Sequence, residues 1–474
     1  MKRCEVPTIF SVFGVTGDLA QNKIFPALID LYEKKLLPKK FYIVGIARRD
    51  LNNKDFRDFV RKALLKKKSY DRRTLDSFLN NLEYSQGEFN QKETYQKSKI
   101  IFENIDKKWG QCSNKLLHLS VPPVLYELIL KQIAHSGMSK SCDDKHGWTR
   151  ILIEKPFGKD VHTAQKLDEL LGTLFKEKQI YRIDHYLAKQ TLQNIMAFRF
   201  SNTIFEPLWN RKHIKSVSIN LFEDNTVEKR GSFYDENGAL RDVGQNHILQ
   251  MLALVAMDQP RSSHFSDVRT ARENVFSKLA KISKKEVLRA QYQGYLDTVG
   301  VAKNSKTETF FFFTSYINNK RFRGVPFYLT SGKALKESKV EIIINFKDQT
   351  PGYSFLPEQH EEQEKNKITI SIQPQEKISI LFWVKIPGFE DVVGQKELSF
   401  SYQDEKTKSI DAYEKVLFDC VSGDQTSFVS TKEVLYTWEY IMGVKDVIAK
   451  TPLHIYKKGS DPENIKKLAN KSRE

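Results

Sequence analysis

Residues 8–31 read TIFSVFGVTGDLAQNKIFPALIDL, and this stretch decides the predicted fold. The short apolar run from Thr8 to Phe13 predicts a buried strand, which ends at a turn containing Gly14 and Gly17. Apolar residues at helical spacing follow from Lys23 to Leu31. A strand, a glycine turn and a helix in this order are typical of the start of a doubly wound parallel sheet.

Three more strands, with helical stretches between them, are predicted at Phe41 to Ala47, Leu116 to Val121 and Ile151 to Glu154. Strands that alternate with helices favour parallel pairing, because each crossover helix returns the chain to the same edge of the sheet. We therefore predict an α/β domain, doubly wound and Rossmann-like, over residues 1–183.

After about Arg182 the sequence changes to alternating polar and apolar residues. This period of two is typical of strands in an antiparallel sheet whose two faces differ. The clearest examples are Ser216 to Phe222, Val340 to Phe346, Ile368 to Ile372 and Ile378 to Ile386. We therefore predict that residues 184–474 form an α+β domain with a large, mainly antiparallel sheet.

The apolar stretches, the N-terminus and the cysteines indicate which classes of protein this chain does not belong to. The longest apolar stretches, such as Ile248 to Met257, are far shorter than the roughly 20 residues that cross a bilayer. The N-terminus lacks an uninterrupted signal core, so we expect a cytoplasmic protein without a membrane partner. Four cysteines are scattered without the spacing of a metal site, which predicts free thiols and no structural metal.

The formal net charge of +17 predicts a surface that attracts anions, either nucleic acids or phosphorylated small molecules. The densest basic stretch, Arg61 to Arg73, carries no nucleic-acid motif and only one aromatic residue. A charge run of this kind usually forms the solvated face of a helix. We therefore expect no nucleic-acid partner.

The first turn indicates a dinucleotide site. Glycines allow a backbone to approach a pyrophosphate, and the following helix N-terminus offers free N–H groups and a favourable dipole. The glycine fingerprint is incomplete, since Val12 stands where its first glycine would be, and an ordinary tight turn remains an alternative. The candidate cofactor contacts in this turn are Gly14, Thr16, Gly17, Asp18 and Leu19.

The end of the second predicted strand bears on the choice of cofactor. An acidic residue there would bind the ribose of NAD, whereas an arginine suits the 2′-phosphate of NADP. The chain has Arg48 and Arg49 at this point. Arg48 therefore favours NADP, with NAD as the second choice, although a plain surface pair of arginines would look the same.

Lys155 lies in the stretch Glu154 to Gly158, which closes the fourth predicted strand. The carboxyl edge of such a sheet brings residues beside a bound nicotinamide. Lys155 is thus a candidate for contacts with both the cofactor and a sugar hydroxyl. This tripeptide, Glu-Lys-Pro, also occurs in a broader group of sugar oxidoreductases, so it indicates a dehydrogenase more than a particular substrate.

The stretch Arg182 to Lys189 predicts a phosphate site. If it is helical from about His185, then His185 and Lys189 lie four residues apart on one face. Two cations so placed would repel unless an anion lay between them. A surface turn with scattered charges is the alternative.

His247 falls on the same stripe as the apolar residues from Leu240 onward, at near-helical spacing. The stretch Asp235 to Asp242 comes shortly before it in the sequence. A histidine on such a face is often an ordinary core residue, and that alternative stays open on spacing alone.

These stretches, in this order, resemble the glucose-6-phosphate dehydrogenase family over almost the whole chain. The blocks that carry the resemblance are Ser120 to Pro123 with Tyr126, Glu154 to Gly158, Arg182 to Lys189, Asp235 to His247, Gly324 to Phe327 with Gly332 and Lys333, Gln373-Pro374, Asp411 to Glu414 and Gly459-Ser460.

The resemblance implies an oxidoreductase that transfers hydride from C1 of glucose 6-phosphate to NADP and gives 6-phosphogluconolactone. This is the first step of the oxidative pentose phosphate pathway, and it needs no metal. The resemblance makes His247 the general base and Asp184 its partner, because a carboxylate fixes the imidazole tautomer and stabilises the imidazolium. It also implies cofactor contacts from Tyr126, and a homodimer or dimer-based oligomer through the second-domain sheet.

The resemblance further assigns the residues that hold the substrate. The implied contacts with the phosphate or the sugar hydroxyls come from Lys155, His185, Tyr186, Lys189, Glu223, Asp242, Lys333 and Gln373. Ala188, Gln190 and Ser338 depart from the family pattern, and Lys336 or Lys339 is a candidate substitute for a basic residue at position 338.

Two other functions remain alternatives at this stage. Another NAD(P)-dependent sugar dehydrogenase could share the first domain and Lys155. A non-catalytic nucleotide-binding protein could use the positive charge.

Overall fold

The structure is a computed structural model that describes residues 6–140, 147–347, 366–389, 393–401 and 410–471. The chain forms two compact units, each assembled from separate stretches of sequence. The first unit consists of Met1–Ala188, His264–Arg269 and Ile410–Leu435, and the second unit consists of Lys189–Ser263, Thr270–Ser409 and Tyr436–Glu474.

The strands are numbered along the chain. They are β1 (Thr8–Phe13), β2 (Phe41–Ala47), β3 (Leu82–Gln86), β4 (Asn114–Leu119), β5 (Thr149–Ile153), β6 (Ile180–Ile183), β7 (Ile214–Phe222), β8 (Val287–Tyr292), β9 (Phe310–Ser315), β10 (Phe327–Gly332), β11 (Lys339–Phe346), β12 (Lys367–Gln373), β13 (Lys377–Lys385), β14 (Val393–Ser401), β15 (Phe428–Val429) and β16 (Leu453–Tyr456).

The helices are numbered in the same way. They are α1 (Phe25–Glu33), α2 (Asn53–Leu65), α3 (Arg72–Leu79), α4 (Lys92–Trp109), α5 (Tyr126–Ser136), α6 (Val161–Leu174), α7 (Gln190–Phe200), α8 (Gly231–Ala239), α9 (Leu249–Ala256), α10 (Phe265–Phe276), α11 (Ala412–Ser422), α12 (Thr431–Ile448) and α13 (Pro462–Lys471). Two π-helical stretches, Ala20–Ile24 and Leu240–Ile248, lead directly into α1 and α9.

The first unit contains a seven-stranded sheet in the order β15-β6-β5-β4-β1-β2-β3. All its neighbours pair in parallel except β15, which runs antiparallel to β6. All six residues of β1 are buried, as expected for a central strand of a parallel sheet with both faces covered. The predicted α/β domain is confirmed. Strand β3 was not predicted, since its sequence LEYSQ interrupts its apolar residues with polar ones.

The second unit contains a nine-stranded sheet in the order β14-β13-β12-β11-β7-β10-β9-β8-β16. Among these described strands six neighbouring pairs are antiparallel, whereas β7 with β10 and β8 with β16 are parallel. The sheet is therefore mixed and mainly antiparallel, which confirms the predicted class. Each of the four strands predicted here is present, with ends shifted by one or two residues.

Residues 410–435 belong to the first unit although they follow the second sheet in sequence. Helix α11 buries Tyr413, Leu417 and Cys420 in the same apolar core as α1, so its amphipathic face accounts for this placement. The predicted boundary at residue 183 lies near the break after Ala188, but the return of this segment was not foreseen. In the described part of the chain, we find no helix with the length and apolar character of a membrane span.

Candidate active site

The parallel sheet of the first unit brings four of the predicted site regions to one edge. Gly14 follows β1, Arg48 follows β2, Glu154 and Lys155 follow β5, and Asp184 follows β6. Because these strands run parallel, all of these residues lie at the carboxyl edge of the sheet. Ligands of doubly wound sheets bind at this edge.

The turn after β1 requires glycine for steric reasons. Gly14 has a φ of +81°, and a Cβ atom there would lie 2.3 Å from the carbonyl oxygen of Ser120. The backbone N–H of Gly14 donates to Ile46 over 2.8 Å, and that of Gly17 donates to Gly14 over 2.9 Å. Helical structure begins at Asp18, with Gly17 and Asp18 exposed. A bare backbone at an exposed helix N-terminus fits a pyrophosphate group.

The two arginines after β2 have different surroundings. The guanidinium of Arg49 lies over the ring of Phe59, 5.6 Å from its centroid. Arg48 is exposed. The hydroxyl of Tyr84 donates to the carbonyl oxygens of Ala47 at 3.0 Å and Arg49 at 2.7 Å, so it holds the backbone on both sides of Arg48. Arg48 is therefore the better candidate for a cofactor phosphate.

A buried hydrogen-bond network surrounds Glu154, the residue before Lys155. His118 Nε2 lies 3.0 Å from Glu154 Oε1, and the Tyr413 hydroxyl donates to the same carboxylate over 3.3 Å. Tyr126 donates to the Glu154 carbonyl oxygen over 2.9 Å. Burial raises the pKa of the Tyr126 and Tyr413 hydroxyls, which therefore remain donors. The network holds the backbone beside Lys155.

Two members of this network, His118 and Tyr413, were not predicted as site residues. Tyr413 lies in one of the blocks that carry the family resemblance, but its sequence separation of 259 residues from Glu154 conceals the contact. His118 belongs to an apolar strand, where a buried histidine gives little indication of its partner. Tyr126 was predicted to contact the cofactor. In the structure its hydroxyl donates a hydrogen bond to the carbonyl oxygen of Glu154.

The predicted helix from His185 is wrong. Residues 185–188 form a turn, in which Asp184 Oδ1 accepts from the backbone N–H of Tyr186 at 3.0 Å. Asp184 also accepts a backbone hydrogen bond from Leu187 at 3.0 Å. Lys189 has an extended backbone, and α7 begins only at Gln190. An aspartate that bonds its own following backbone favours a turn over a helix, which is the physical reason for the difference.

In the second unit, the parallel pair β7 and β10 brings two predicted substrate contacts together. Glu223 follows β7 and Lys333 follows β10, and Phe222 pairs with Gly332 at the strand ends. Lys333 Nζ lies 2.7 Å from Glu223 Oε2. Gln373, at the end of β12, pairs with Val340 near the start of β11, so it lies at the same sheet edge and is exposed.

Asp242 and His247 lie on the π-helical stretch Leu240–Ile248. The predicted helix is present there, although its first part is wound more loosely than an α-helix. The His247 side chain is buried, whereas Asp242 is partly exposed. Short π-helical stretches inside helices occur frequently at functional sites.

Tyr234, which was not predicted, lies among the candidate substrate contacts of the second unit. Lys333 Nζ is 5.6 Å from the centroid of its ring. Burial raises the pKa of its hydroxyl, and the carboxylates of Asp242 and Glu223 add to the rise. The ring therefore packs beside Lys333 within a group of acidic residues. In the sequence, Tyr234 is a tyrosine between two glycines in a helical stretch, and this context does not indicate a site residue.

Comparison with known proteins decides the family. Residues 11–194 match the family described as "Glucose-6-phosphate dehydrogenase, NAD binding domain". Residues 196–474 match "Glucose-6-phosphate dehydrogenase, C-terminal domain". The chain belongs to the glucose-6-phosphate dehydrogenase family.

Individual relatives agree with this family over most of their length. The cytoplasmic glucose-6-phosphate 1-dehydrogenase 6 of Arabidopsis thaliana is 41% identical over 435 residues, which are 90% of this chain and 83% of the relative. The glucose-6-phosphate 1-dehydrogenase of Chlamydia muridarum is 35% identical over 91% of this chain and 89% of its own. A solved glucose-6-phosphate dehydrogenase in complex with glucose 6-phosphate has a TM-score of 0.90 and 31% identity, covering 99% and 98% of the two chains.

One departure from the family pattern now has a structural context. Ser338 Oγ donates to the Asp224 carboxylate over 2.5 Å, and the Asp224 backbone N–H donates to Ser338 Oγ over 3.0 Å. Lys339, one candidate substitute, lies 2.9 Å from the Glu341 carboxylate. Lys336 is exposed and is the better candidate of the two for a phosphate contact.

Two of the four cysteines, Cys112 and Cys420, lie among the described residues, and neither forms a disulfide. Cys4 and Cys142 lie outside the described residues. The prediction that the protein needs no metal stays a prediction.

Proposed function

We propose that this chain oxidises glucose 6-phosphate at C1, with NADP as hydride acceptor, and forms 6-phosphogluconolactone as the first step of the oxidative pentose phosphate pathway. The observation that carries the proposal is the pairing of Glu223 and Lys333 at one sheet edge, in a chain that matches the family over residues 11–194 and 196–474. A cation and a carboxylate side by side suit a ligand that has both a phosphate and hydroxyl groups.

The family's first domain binds a pyridine nucleotide, and NADP is our choice within that class. The glycine turn at Gly14 and Gly17 would hold the pyrophosphate, and the exposed Arg48 would bind the 2′-phosphate. Thr16, Asp18 and Leu19 complete the turn, while Lys155 would contact the nicotinamide and Tyr126 would support that contact. When bound, the oxidised nicotinamide supplies the hydride acceptor.

His247 is proposed to take the proton of the C1 hydroxyl while C1 gives up its hydride. The lost proton and hydride leave a carbonyl at C1, so the sugar becomes a lactone. Asp184 would accept from one imidazole nitrogen, which keeps the other nitrogen free as a base and stabilises the imidazolium. Burial of both side chains supports these roles, because charge interactions are stronger away from water.

The remaining site residues are proposed to hold the substrate. His185, Tyr186, Lys189 and Lys333 would bind the phosphate, where cations make charge-assisted hydrogen bonds. Glu223, Asp242, Lys155 and Gln373 would bind sugar hydroxyls.

A spectrophotometric assay tests the proposed function. Glucose 6-phosphate, glucose and other sugars are each offered with NADP and with NAD, and reduced cofactor is measured. We expect glucose 6-phosphate with NADP to be the best combination. Preference for an unphosphorylated sugar would favour the alternative of another sugar dehydrogenase, and cofactor binding without turnover would favour a non-catalytic nucleotide-binding protein.

We also propose that the protein is cytoplasmic and forms a homodimer through the sheet of the second unit. Strand β14 supports this assembly, since Leu398 is 62% exposed and Phe400 is 42% exposed on it. An edge strand is a template for pairing with another chain, and neighbouring exposed apolar side chains on it favour such a contact. Sedimentation velocity should give a dimer for the unaltered chain and a monomer for Leu398→Lys, and a monomeric unaltered chain would contradict the proposal.

A further inference from the structure

The segment Thr307 to Thr309, which precedes β9, connects three parts of the second unit. The Thr307 hydroxyl donates to the carbonyl oxygen of Asp235 over 2.7 Å. Thr309 accepts from the backbone N–H of Lys333 at 2.9 Å. Between them, Glu308 reaches the start of the helical stretch that carries Asp242 and His247. One short segment is therefore bonded to two elements that bear proposed substrate contacts.

The contact of Glu308 with that helical stretch is specific. Glu308 Oε1 accepts from the backbone N–H of Leu240 at 3.0 Å, and its carbonyl oxygen accepts from Ala239, also at 3.0 Å. Leu240 is the first residue of the π-helical stretch. The N–H groups at the start of a helix lack partners within the helix, and a carboxylate there also interacts favourably with the helix dipole.

The backbone before Leu240 makes room for this carboxylate. Gly238 has a φ of +69° and breaks the helical path between α8 and the π-helical stretch. A Cβ atom at Gly238 would lie 2.3 Å from Glu308 Oε1. Glycine at position 238 thus allows both the bend and the close approach of Glu308.

The loop that ends in Glu308 is itself held in place. The Asp235 carboxylate accepts from the Tyr295 hydroxyl at 2.9 Å, from the backbone N–H of Ala302 at 3.1 Å and from the Ser305 hydroxyl. Asp235 belongs to α8 and holds the loop, while Glu308 belongs to the loop and holds the next helical stretch. These two sets of hydrogen bonds link the loop to both helical segments. They therefore restrict movement of the start of the π-helical stretch.

We propose that Glu308 is a positioning residue: its carboxylate fixes the first turn of the helical stretch and thereby the direction of Asp242 and His247. This inference rests on the proposed function for its kinetic consequence. Glu308 itself would touch neither substrate nor cofactor. Its effect would be confined to sugar binding and proton removal, and the affinity for the cofactor would not depend on it.

The kinetic test compares two substitutions. Glu308→Ala removes the acceptor, and we expect kcat/KM for glucose 6-phosphate to fall by roughly 3- to 30-fold, the factor that corresponds to the free energy by which a helix cap stabilises a helix. The KM for NADP should stay within about twofold, since no cofactor contact is altered. Glu308→Gln keeps an oxygen acceptor for Leu240 and should restore most of the activity. Glu236→Ala removes an exposed carboxylate from α8 and is the matched control.

Hydrogen exchange provides a readout that does not depend on activity. In Glu308→Ala, amide exchange over residues 239–248 should be faster than in the unaltered chain, with little change in Glu308→Gln. If the unaltered chain does not oxidise glucose 6-phosphate, the proposed function fails, and the exchange data still test the positioning role.

Three results would overturn the inference. The first is a folded Glu308→Ala protein with unchanged kcat/KM and unchanged exchange at 239–248. The second is a loss in Glu308→Gln as large as in Glu308→Ala, because the retained acceptor would then be irrelevant. The third is an equal loss of affinity for the sugar and for NADP, which would indicate a general loss of structure.

Discussion

Lys333 Nζ lies 2.7 Å from Glu223 Oε2, although the two residues are 110 positions apart in the sequence. The Lys333 side chain is 10% exposed and that of Glu223 is 30% exposed, so water only partly screens the pair. Both residues are proposed to bind the substrate. In the absence of sugar phosphate, the charge of each side chain therefore neutralises the charge of the other. A bound substrate must either share this ion pair or replace it.

The first prediction separates the roles of this pair. Lys333→Ala should raise the KM for glucose 6-phosphate by at least about 10-fold, because alanine cannot make the charge-assisted hydrogen bond that the ammonium would make to the phosphate. Its weak oxidation of free glucose should change much less. Glu223→Gln should weaken the oxidation of both sugars. Steady-state kinetics with the two sugars check this, and an equal loss on both sugars in Lys333→Ala would contradict a phosphate role.

The second prediction concerns the cofactor. Arg48→Ala should weaken NADP far more than NAD, because a guanidinium grips the 2′-phosphate through paired charge-assisted hydrogen bonds. Arg49→Ala is a suitable comparison, since that guanidinium lies over Phe59. Fluorescence titration with both cofactors gives the dissociation constants. If Arg48→Ala weakens both cofactors to the same extent, Arg48 is only a general electrostatic contributor.

The third prediction addresses the base. His247→Asn should lower kcat by about 10²- to 10⁴-fold, the usual contribution of general-base catalysis, with little change in substrate affinity. Asp184→Asn should show the same kind of defect. If the two act together, the double variant should be scarcely worse than His247→Asn. A folded His247→Asn protein with near-normal kcat would leave the histidine as an ordinary core residue.

The fourth prediction concerns stability and pH. Burial raises the pKa of Asp419, on α11, from its usual 3.8 to about 6, while Lys415 opposes the rise. The folded chain thus binds this proton more tightly than the unfolded chain, so the contribution to stability is complete below pH 3.8 and is lost as pH rises through about 6.

Asp419→Asn removes the titration of this group. It should stabilise the fold by on the order of 1 to 3 kcal/mol at pH 8 and by little near pH 4. Thermal unfolding at both pH values checks the difference. Asp446→Asn, at an exposed position on α12, is the control and should change little at either pH. A gain from Asp419→Asn that is equal at pH 4 and pH 8 would refute the assignment.

The sequence by itself determined those features that depend on near neighbours. The run from Thr8 to Phe13 is strand β1 with the predicted ends, because its side chains are all apolar or small and the glycine turn ends it. The run from Phe41 to Ala47 is β2 with the predicted ends, because its mostly apolar residues are followed by the polar residues Arg48 and Arg49. The alternating pattern after Arg182 was likewise sufficient to predict the mainly antiparallel sheet. Periodicity and turn chemistry act over a few residues, so a single sequence reveals them.

Tertiary structure decided the features that depend on distant partners. The pairing of β7 with β10 brings Glu223 to Lys333, and the fold of the second unit brings Glu308 to Leu240, 68 residues away. Competition between hydrogen bonds also mattered, since Asp184 bonds the backbone of Tyr186 and the predicted helix at His185 becomes a turn. Such contacts arise from the packing of whole sheets and helices, and the local sequence carries no period or spacing that would specify them.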